Sequence, residues 1–265
     1  QHDMLPRTAR WRLETGQRRR RVRRRTLIRF HGELNDLIPR PMKHRAFGFR
    51  SAEHATLKHA IEAFGVPHTE VGRVLVDGAE AGLERAVGPG EAIEVFPASP
   101  WALQVRGDAD APAFLADAHL GGLARRLRLL GFDTLLADDA PDPLLAALAD
   151  GDGRILLSRD RELLKHRRVT RGRYVRASRT DEQLREVVRH FGLWPLARPF
   201  SRCLECNAPL RAARRSEVLD RLPPDVAAAH AAFTLCGGCG RVYWPGSHWR
   251  KLRAVVASLM AEAPR

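Results

Sequence analysis

The stretch FLADAHLGGLARRLRLLG, residues 114–131, decides the fold of the central part of this chain. Its first residues are apolar, as in a buried strand, and the apolar run ends at Asp117. Three leucines then recur at helical spacing, and Gly131 is a typical helix end. The stretch therefore predicts a strand followed by an amphipathic helix. The three leucines are Leu123, Leu127 and Leu130.

The same alternation continues downstream of this stretch. The sequence predicts a strand at 133–137, a helix at 142–150 and a strand at 154–158. The order βαβαβ indicates a parallel sheet with helices on both faces, which is an α/β fold. Such sheets carry their functional sites at the carboxyl ends of the strands.

Two acidic residues are expected at that edge of the sheet. Asp117 ends the first strand, and Asp160 comes two residues after Ser158, the end of the third. Neighbouring carboxylates repel each other unless a divalent cation lies between them, and oxygen ligands suit Mg²⁺ or Mn²⁺. Such an ion activates water for attack on a phosphodiester. The alternative interpretation is that each aspartate caps a helix.

Other acidic residues allow both interpretations. Asp142 precedes a proline, the order expected of an N-cap followed by the first helical residue. Asp181 lies in 180–183, a sequence typical of a capping box. Asp138 and Asp139 stand at the end of the second strand, and we keep both as candidates for a further metal ligand.

Two motifs carry a family resemblance. Residues 117–133 read DAHLGGLARRLRLLGFD, and residues 155–161 read ILLSRDR. Both are similar to motifs of the PIN-like RNase family named after the C-terminal domain of the Mut-seven mutator protein. The resemblance extends from about Phe114 to Trp249, and bacterial members of this family often carry a ubiquitin-like domain in front. It implies a PIN-like fold and a metal-dependent RNase activity.

The resemblance also suggests site residues. Asp117 matches the first acid of the family, Asp160 matches the acid of its Ser/Thr-Arg-Asp motif, and Asp142 is positioned as an acid at the start of the intervening helix. Nearby guanidinium and ammonium groups are predicted to bind RNA phosphates, with a solvated helix face as the alternative. These basic residues are Arg125, Arg128, Arg159, Arg161 and Lys165.

Two adjacent glycines, Gly121 and Gly122, stand early in the first predicted helix of this region. Glycine permits close approach of another backbone because it has no Cβ atom. The pair is therefore compatible with an RNA backbone lying against the helix. Packing of the helix against a strand explains it equally well.

All four cysteines fall in two C-x-x-C pairs, CLEC at 203–206 and CGGC at 236–239. This spacing predicts a structural zinc ion in closed tetrahedral coordination, and a reducing compartment suits it. A rubredoxin-like iron site and a redox-active dithiol pair are the alternatives. The predicted zinc ligands are Cys203, Cys206, Cys236 and Cys239.

The segment RVYWPGSHWRK, residues 241–251, interleaves aromatic and basic side chains just after the second cysteine pair. Aromatic rings that stack on bases, next to cations that pair with phosphates, are typical of single-stranded RNA binding. The alternative is that the aromatic rings cover the small zinc core.

The N-terminal part of the chain predicts a β-grasp domain with the order ββαββ. Residues 87–97, VGPGEAIEVFP, resemble the end of the ubiquitin-like sulfur carriers. Those carriers act through a free Gly-Gly terminus, whereas this chain continues through 98–101. A docking or RNA-contacting role is therefore expected in place of sulfur transfer. The predicted elements are strands at 26–30, 47–49, 73–76 and 91–96 and a helix at 53–64.

Composition favours a polyanionic partner. The 265 residues carry a net charge of +14 with a pI near 11.0, which attracts RNA, including structured RNA such as tRNA or ribosomal RNA. The alternative explanation of the positive charge is a genome of high GC content, which favours Arg in all its proteins. With 44% hydrophobic residues and no apolar run of about 18 residues, we expect a globular cytoplasmic protein without a membrane partner.

These observations divide the chain into five predicted parts, each with its own expectation. The Arg-rich tail either clamps RNA phosphates or has no role. The expected function is that of a metal-dependent endoribonuclease; the alternatives are a non-catalytic RNA-binding or ribosome-associated factor and a sulfur-transfer or protein-docking role. The parts are a basic disordered tail (1–25), a β-grasp domain (26–97), a linker (98–112), a PIN-like RNase domain (113–198) and a zinc-ribbon module (199–265).

Overall fold

The structure is a computed structural model that describes residues 25–52, 54–98, 111–137 and 141–264. The predicted tail up to residue 24, most of the predicted linker and the candidate acids Asp138 and Asp139 lie outside these residues.

The chain forms two compact units. Unit 1 contains the described residues up to 98 and, separately in sequence, Asp160–Tyr174. Unit 2 contains the described residues from 111 to 159 and from 175 onwards.

Unit 1 is built on a five-stranded sheet with the order β2-β1-β5-β3-β4. Strands β1 and β5 are parallel and the other pairs are antiparallel, so the predicted β-grasp arrangement is confirmed. The helix packs its apolar face on the sheet, and the hydroxyl of Thr56 accepts a hydrogen bond from the amide of His59 at its N-terminus. The bounds are β1 Thr26–Phe30, β2 Phe47–Phe49, α1 Leu57–Ala63, β3 Val71–Val76, β4 Ala79–Glu80 and β5 Ala92–Pro97.

The parallel sheet predicted from the sequence is the centre of unit 2. Within unit 2 this sheet contributes three strands in the order β7-β6-β8, with Phe114 opposite both Thr134 and Ile155. Every residue of β6 and β8 is buried, as expected for strands covered on both faces. The bounds are β6 Phe114–Asp117, α2 Gly121–Leu129, β7 Thr134–Ala137, α3 Asp142–Gly151 and β8 Ile155–Ser158.

The segment Asp160–Tyr174 carries helix α4 (Arg161–Leu164) and strand β9 (Gly172–Tyr174) and belongs to unit 1. Arg173 is only 2% exposed, and its guanidinium donates to both carboxylate oxygens of Glu33 at 2.7 and 2.9 Å. It also donates to Glu70 at 3.1 Å, and Glu70 accepts from the amide of Tyr174. Buried charges anchor this segment within unit 1.

The C-terminal part of unit 2 contains a three-stranded antiparallel sheet with the order β10-β11-β12. The last helix packs into the main core of the unit through Leu252, Val256 and Leu259. This packing joins the end of the chain to the parallel-sheet core across the boundary predicted at 198/199. The bounds are α5 Thr180–Phe191, β10 Leu210–Ala213, α6 Arg215–Val218, α7 Pro224–Ala229, β11 Phe233–Cys236, β12 Val242–Tyr243 and α8 Ser247–Met260.

The two adjacent glycines at the start of α2 have a packing explanation. A Cβ atom on Gly122 would lie 2.7 Å from the hydroxyl oxygen of Thr180, the first residue of α5. A Cβ atom on Gly121 would lie 3.5 Å from the side chain of Leu136 in β7. Close packing of α2 within unit 2 therefore accounts for Gly122.

Two local expectations about helix starts are wrong. The N-cap of α3 is Pro141, so Asp142 lies in the first turn instead of capping the helix. The N-cap of α5 is Arg179, so Thr180 does not cap the helix, and the side-chain amide of Gln183 donates to the carbonyl of Ala177 instead of closing a capping box.

Candidate functional site

Asp117 lies at the carboxyl end of β6 and is 5% exposed. Its Oδ1 accepts a hydrogen bond from the amide of His119 at 2.9 Å, which caps a short 3-10 helix. Its Oδ2 accepts from the hydroxyl of Ser158 and from the amide of Arg159. The carboxylate is thus held between the ends of two parallel strands, and the capping interpretation also applies to it.

Asp160 belongs to unit 1, in which it is the N-cap of α4. Its Oδ1 accepts from the amides of Glu162 at 2.7 Å and Leu163 at 3.4 Å. Asp142 is exposed in the first turn of α3. The metal-binding roles of Asp142 and Asp160 stay predictions.

Asp181 forms an ion pair with Nε of Arg126 at 3.0 Å. Across the described parts of the chain, the four cysteines are the only group of three or more His, Cys, Asp or Glu side chains whose ligand atoms cluster closely enough for a metal ion. Carboxylate oxygens are typical ligands of Mg²⁺ and Mn²⁺. Asp117 provides such oxygens at the carboxyl end of β6, where the sequence predicts the site. A full carboxylate ligand set is not present among the described residues.

Two of the predicted RNA-contacting arginines of unit 2 are exposed. The side chain of Arg125 is 62% exposed and pairs with Glu205 at 3.1 Å. Arg159 is exposed beside Asp117 and donates to the carbonyl of Ala177.

Arg128 differs from these arginines because it is 5% exposed. Its guanidinium donates to the carbonyls of Thr134, Leu204 and Glu205 at 2.9, 2.9 and 2.6 Å. Burial lowers the pKa of this guanidinium, an effect that the nearby Cys203 and Cys206 oppose. Its contacts are structural and leave little surface for an RNA phosphate.

Arg161 and Lys165 lie in unit 1. Arg161 donates to the carbonyl of Leu37 at 2.8 Å, and its guanidinium lies 5.7 Å from the ring centre of Tyr174. Lys165 pairs with Glu162 at 2.6 Å. Both cations therefore have partners within their own unit.

The four predicted zinc ligands come together in unit 2. Their sulfurs lie within 4.8 Å of one another, with Cys203 3.6 Å from Cys239 and Cys206 3.3 Å from Cys236. Two sulfurs on one tetrahedral zinc ion, each about 2.3 Å from it, are about 3.8 Å apart. The amide of Cys239 also donates to the sulfur of Cys236 at 3.4 Å. This thiolate set fits a structural zinc ion.

Tyr243 is part of the surroundings of the cysteine cluster. Its hydroxyl lies 3.0 Å from the sulfur of Cys203 and accepts from the amide of Leu204 at 3.3 Å. Burial acts to raise the pKa of Cys203, but hydrogen bonds from Tyr243 and from the amides of Glu205 and Cys206 lower it to about 6. Burial also raises the pKa of Tyr243. A low thiol pKa favours the thiolate form that binds metal.

The aromatic residues of 241–251 divide between two cores. Tyr243 reaches the zinc cluster, and Trp244 packs on the small core of Val218, Phe233 and Leu235. The ring of Trp249 lies 5.4 Å from that of Phe200. These contacts match the covering role that was the alternative to base stacking.

The first cysteine loop is anchored to the parallel-sheet core. The side chain of Asn207 donates to Asp133 at 2.7 Å and accepts from the amide of Thr134 at 3.0 Å. Burial acts to raise the pKa of Asp133, but hydrogen bonds from Arg154 and Asn207 hold it below its usual range. Together with Arg128, these contacts attach the zinc loop to α2 and β7.

Comparison with family models decides the assignment of the sheet and the cysteine loops. A model described as the Mut7-C RNAse domain matches residues 112–256, more than half of the chain. The chain belongs to the Mut7-C RNase family. The match begins just before β6 and ends within α8, so it includes both Asp117 and the cysteine cluster of this Mut7-C RNase domain.

A second model, described as Mut7-C ubiquitin, matches residues 24–101. The RNase domain is thus preceded by a ubiquitin-like domain, as the resemblance implied. No curated protein and no solved structure matches the chain. None of the helices in the described ranges has the length and apolar character that crossing a membrane requires.

Two features of the site are not predicted by the sequence. They are the hydrogen bond from Ser158 to Asp117 and the burial of Arg128. No local pattern in the sequence marks the burial of Arg128, because two of its acceptors lie at 204 and 205, more than 70 residues away.

Proposed function

We propose that this chain is a metal-dependent endoribonuclease that hydrolyses phosphodiester bonds in structured RNA such as tRNA or ribosomal RNA. One observation carries the proposal: in a chain of the Mut7-C RNase family, the buried carboxylate of Asp117 stands at the carboxyl end of the central parallel strand. This is the edge at which parallel sheets carry their functional sites. We also propose that the protein acts in the cytoplasm, where a reducing environment keeps its thiols available.

Asp117 is the proposed ligand of a catalytic Mg²⁺ or Mn²⁺ ion, with Asp142 and Asp160 as further proposed catalytic acids. A divalent cation, when bound, polarises a phosphoryl oxygen and lowers the pKa of a water molecule. The described residues around Asp117 orient its carboxylate. Ser158 and the amide of Arg159 orient Asp117, which reduces its rotational freedom before the reaction.

RNA is the proposed partner because the chain carries a net charge of +14 and because the exposed Arg159 adjoins Asp117. Arg125 and Arg159 are the proposed phosphate contacts in unit 2, and Arg161 and Lys165 are proposed contacts in unit 1. Arg128 is left out of this set because it is buried. The ubiquitin-like domain is the proposed site for a protein partner.

A specific observation favours a second candidate, a non-catalytic RNA-binding or ribosome-associated factor. Both oxygens of Asp117 accept hydrogen bonds from the protein itself, and Oδ1 of Asp160 caps a helix. Carboxylates with such partners stabilise the fold without any metal.

A cleavage assay separates the two candidates. The full chain is incubated with structured RNA and Mn²⁺, beside the double variant Asp117→Asn/Asp160→Asn and a control, Asp225→Asn, that removes an exposed carboxylate from α7. The endoribonuclease proposal requires cleavage by the wild type and the control and none by the double variant. Equal cleavage by all three proteins, or binding of RNA without cleavage by any of them, rejects it.

A further inference from the structure

A single carboxylate beside two exposed arginines marks the junction of α2 with the first cysteine loop. Oε2 of Glu205 accepts from Arg125 at 3.1 Å, and Oε1 lies 3.9 Å from the guanidinium of Arg241. The arginine side chains are 62% and 57% exposed, and that of Glu205 is 37% exposed. Two positive charges and one negative charge leave this cluster with a net positive charge at the surface.

Hydrogen bonds from a buried arginine fix the first cysteine loop, which carries Glu205. Buried Arg128 donates to the carbonyls of Leu204 and Glu205, so the backbone under the carboxylate is fixed. Glu205 directly precedes the ligand Cys206, and Arg241 comes two residues after the ligand Cys239. The sulfur cluster therefore brings Arg241 to Glu205.

A third guanidinium adjoins the pair. Arg221 donates to the carbonyl of Gly240 at 3.0 Å, next to Arg241 in the chain. The surrounding composition is basic as well, because residues 199–265 contain ten Lys and Arg against five Asp and Glu. With the formal charge of −2 that one Zn²⁺ and four thiolates carry, these residues keep a net charge of +3, which attracts a polyanion.

The cluster includes Arg125, the central residue of the nine-residue helix α2. Arg125 is four residues beyond Gly121, the first residue of α2, which corresponds to about 6 Å along the helix axis. Only a short 3-10 turn separates the start of α2 from Asp117. A strand of RNA bound at Arg125 therefore has phosphodiesters within a short distance of the proposed catalytic carboxylate.

We propose that Arg125 and Arg241, brought together by the zinc loops, form a binding site for the phosphate backbone of RNA. Glu205 orients both guanidinium groups in the free protein and competes with the phosphate for them. This inference rests on the proposed RNA-directed function and adds to it a phosphate site that depends on zinc. An exposed ion pair contributes little to the free energy of folding, so stabilisation through Glu205 does not account for the two arginines.

The test is RNA binding measured by fluorescence anisotropy without Mn²⁺, over a range of salt concentrations. The proteins are the full chain, Arg125→Gln, Arg241→Gln and Glu205→Gln. Arg45→Gln is the matched control, because it removes an exposed arginine from unit 1 and leaves the cluster unchanged. Zinc content is measured for each protein.

Arg125→Gln and Arg241→Gln are each expected to weaken RNA binding about 3- to 10-fold and to reduce the slope of log K against log salt by about 1. Glu205→Gln is expected to strengthen binding, because it removes the competing carboxylate. A phosphate site predicts opposite changes in RNA affinity for the arginine variants and for Glu205→Gln. A structural ion pair predicts the same change for all of them, because each variant breaks the pair.

The proposal is overturned if Arg125→Gln matches Arg45→Gln, or if Glu205→Gln weakens binding as Arg125→Gln does. Arg125 lies on α2 outside the zinc loops, so this comparison holds even if Arg241→Gln loses zinc. Because binding is measured without cleavage, failure of the phosphate site is distinct from failure of the RNase proposal, which depends on Asp117.

Discussion

The hydroxyl of Ser158, the last residue of β8, donates a hydrogen bond to Oδ2 of Asp117, the last residue of β6. Ser158 is fully buried and Asp117 is 5% exposed. Since β6 and β8 are neighbouring parallel strands, the bond joins their carboxyl ends. The orientation of the proposed catalytic carboxylate therefore depends on a residue of the adjacent strand.

Replacement of Ser158 by Ala removes this hydrogen bond and leaves Asp117 less well oriented. Mutation of a residue that orients a metal ligand typically lowers metal affinity or activity about 10- to 100-fold. We expect Ser158→Ala to cleave RNA about 10-fold more slowly and to need more Mn²⁺ for half-maximal rate. The control is Ser216→Ala, which changes an exposed hydroxyl on α6. Identical Mn²⁺ titrations for the two variants would show that the bond has no role in the site.

Zinc removal is expected to unfold the small antiparallel sheet β10-β11-β12. Structural zinc sites contribute about 10–16 kcal/mol in small peptides, and this sheet otherwise has only a small core of Val218, Phe233 and Leu235. Cys236→Ser is expected to lower the zinc content from one ion per chain and to expose residues 210–243 to protease. If the variant loses zinc but keeps the wild-type protease pattern, the sheet does not depend on zinc for its folding.

The local patterns of the sequence predicted much of the architecture. Apolar runs at β6 and β8 and the leucine spacing of α2 each depend on residues close together in the chain, and the structure confirms them. The two C-x-x-C pairs predicted the cysteine cluster for the same reason, since each pair presents two thiols from one tight turn.

The missed features depend on partners far along the chain. The sequence predicts Arg128 as an RNA-binding cation, whereas two of its three backbone acceptors lie at 204 and 205, more than 70 residues away. Arg173 likewise finds Glu33 across 140 residues. The sequence does not encode such pairings locally, because a buried guanidinium needs acceptors that only the folded chain brings to it.

Removal of the buried cation Arg173 is expected to destabilise unit 1. Arg173 is 2% exposed and Glu70 is fully buried, so removing the cation leaves a buried carboxylate without its countercharge. Such a loss costs about 3–5 kcal/mol. We expect Arg173→Met to lower the free energy of unfolding of unit 1 by this amount in urea, with faster trypsin cleavage between 165 and 171.

The matched control for this prediction is Arg168→Met, which changes an exposed arginine of the same segment. It is expected to leave the urea midpoint of unit 1 nearly unchanged. Equal midpoints for Arg173→Met and Arg168→Met would mean that the buried cluster does not hold the segment Asp160–Tyr174.

Glu91 gives unit 1 a pH-dependent contribution. Hydrogen bonds from Arg85 at 2.6 and 3.0 Å and from the amide of Gly88 at 2.8 Å lower the pKa of the Glu91 carboxyl, although burial opposes them. A lowered pKa stabilises the fold above the usual glutamate value of about 4.3, and this stability is lost as pH falls through the lowered value. NMR titration of Arg85→Gln should show the pKa of Glu91 rising. An unchanged pKa would assign the shift to Gly88 alone.

We propose that Asp117 is the catalytic carboxylate of this Mut7-C RNase domain. The most direct test is the single-turnover rate of cleavage of a structured RNA at saturating Mn²⁺, compared between the wild-type chain and Asp117→Asn. The rate is expected to fall about 100-fold or more in Asp117→Asn, with RNA affinity and zinc content unchanged. Equal rates for the two proteins would contradict it.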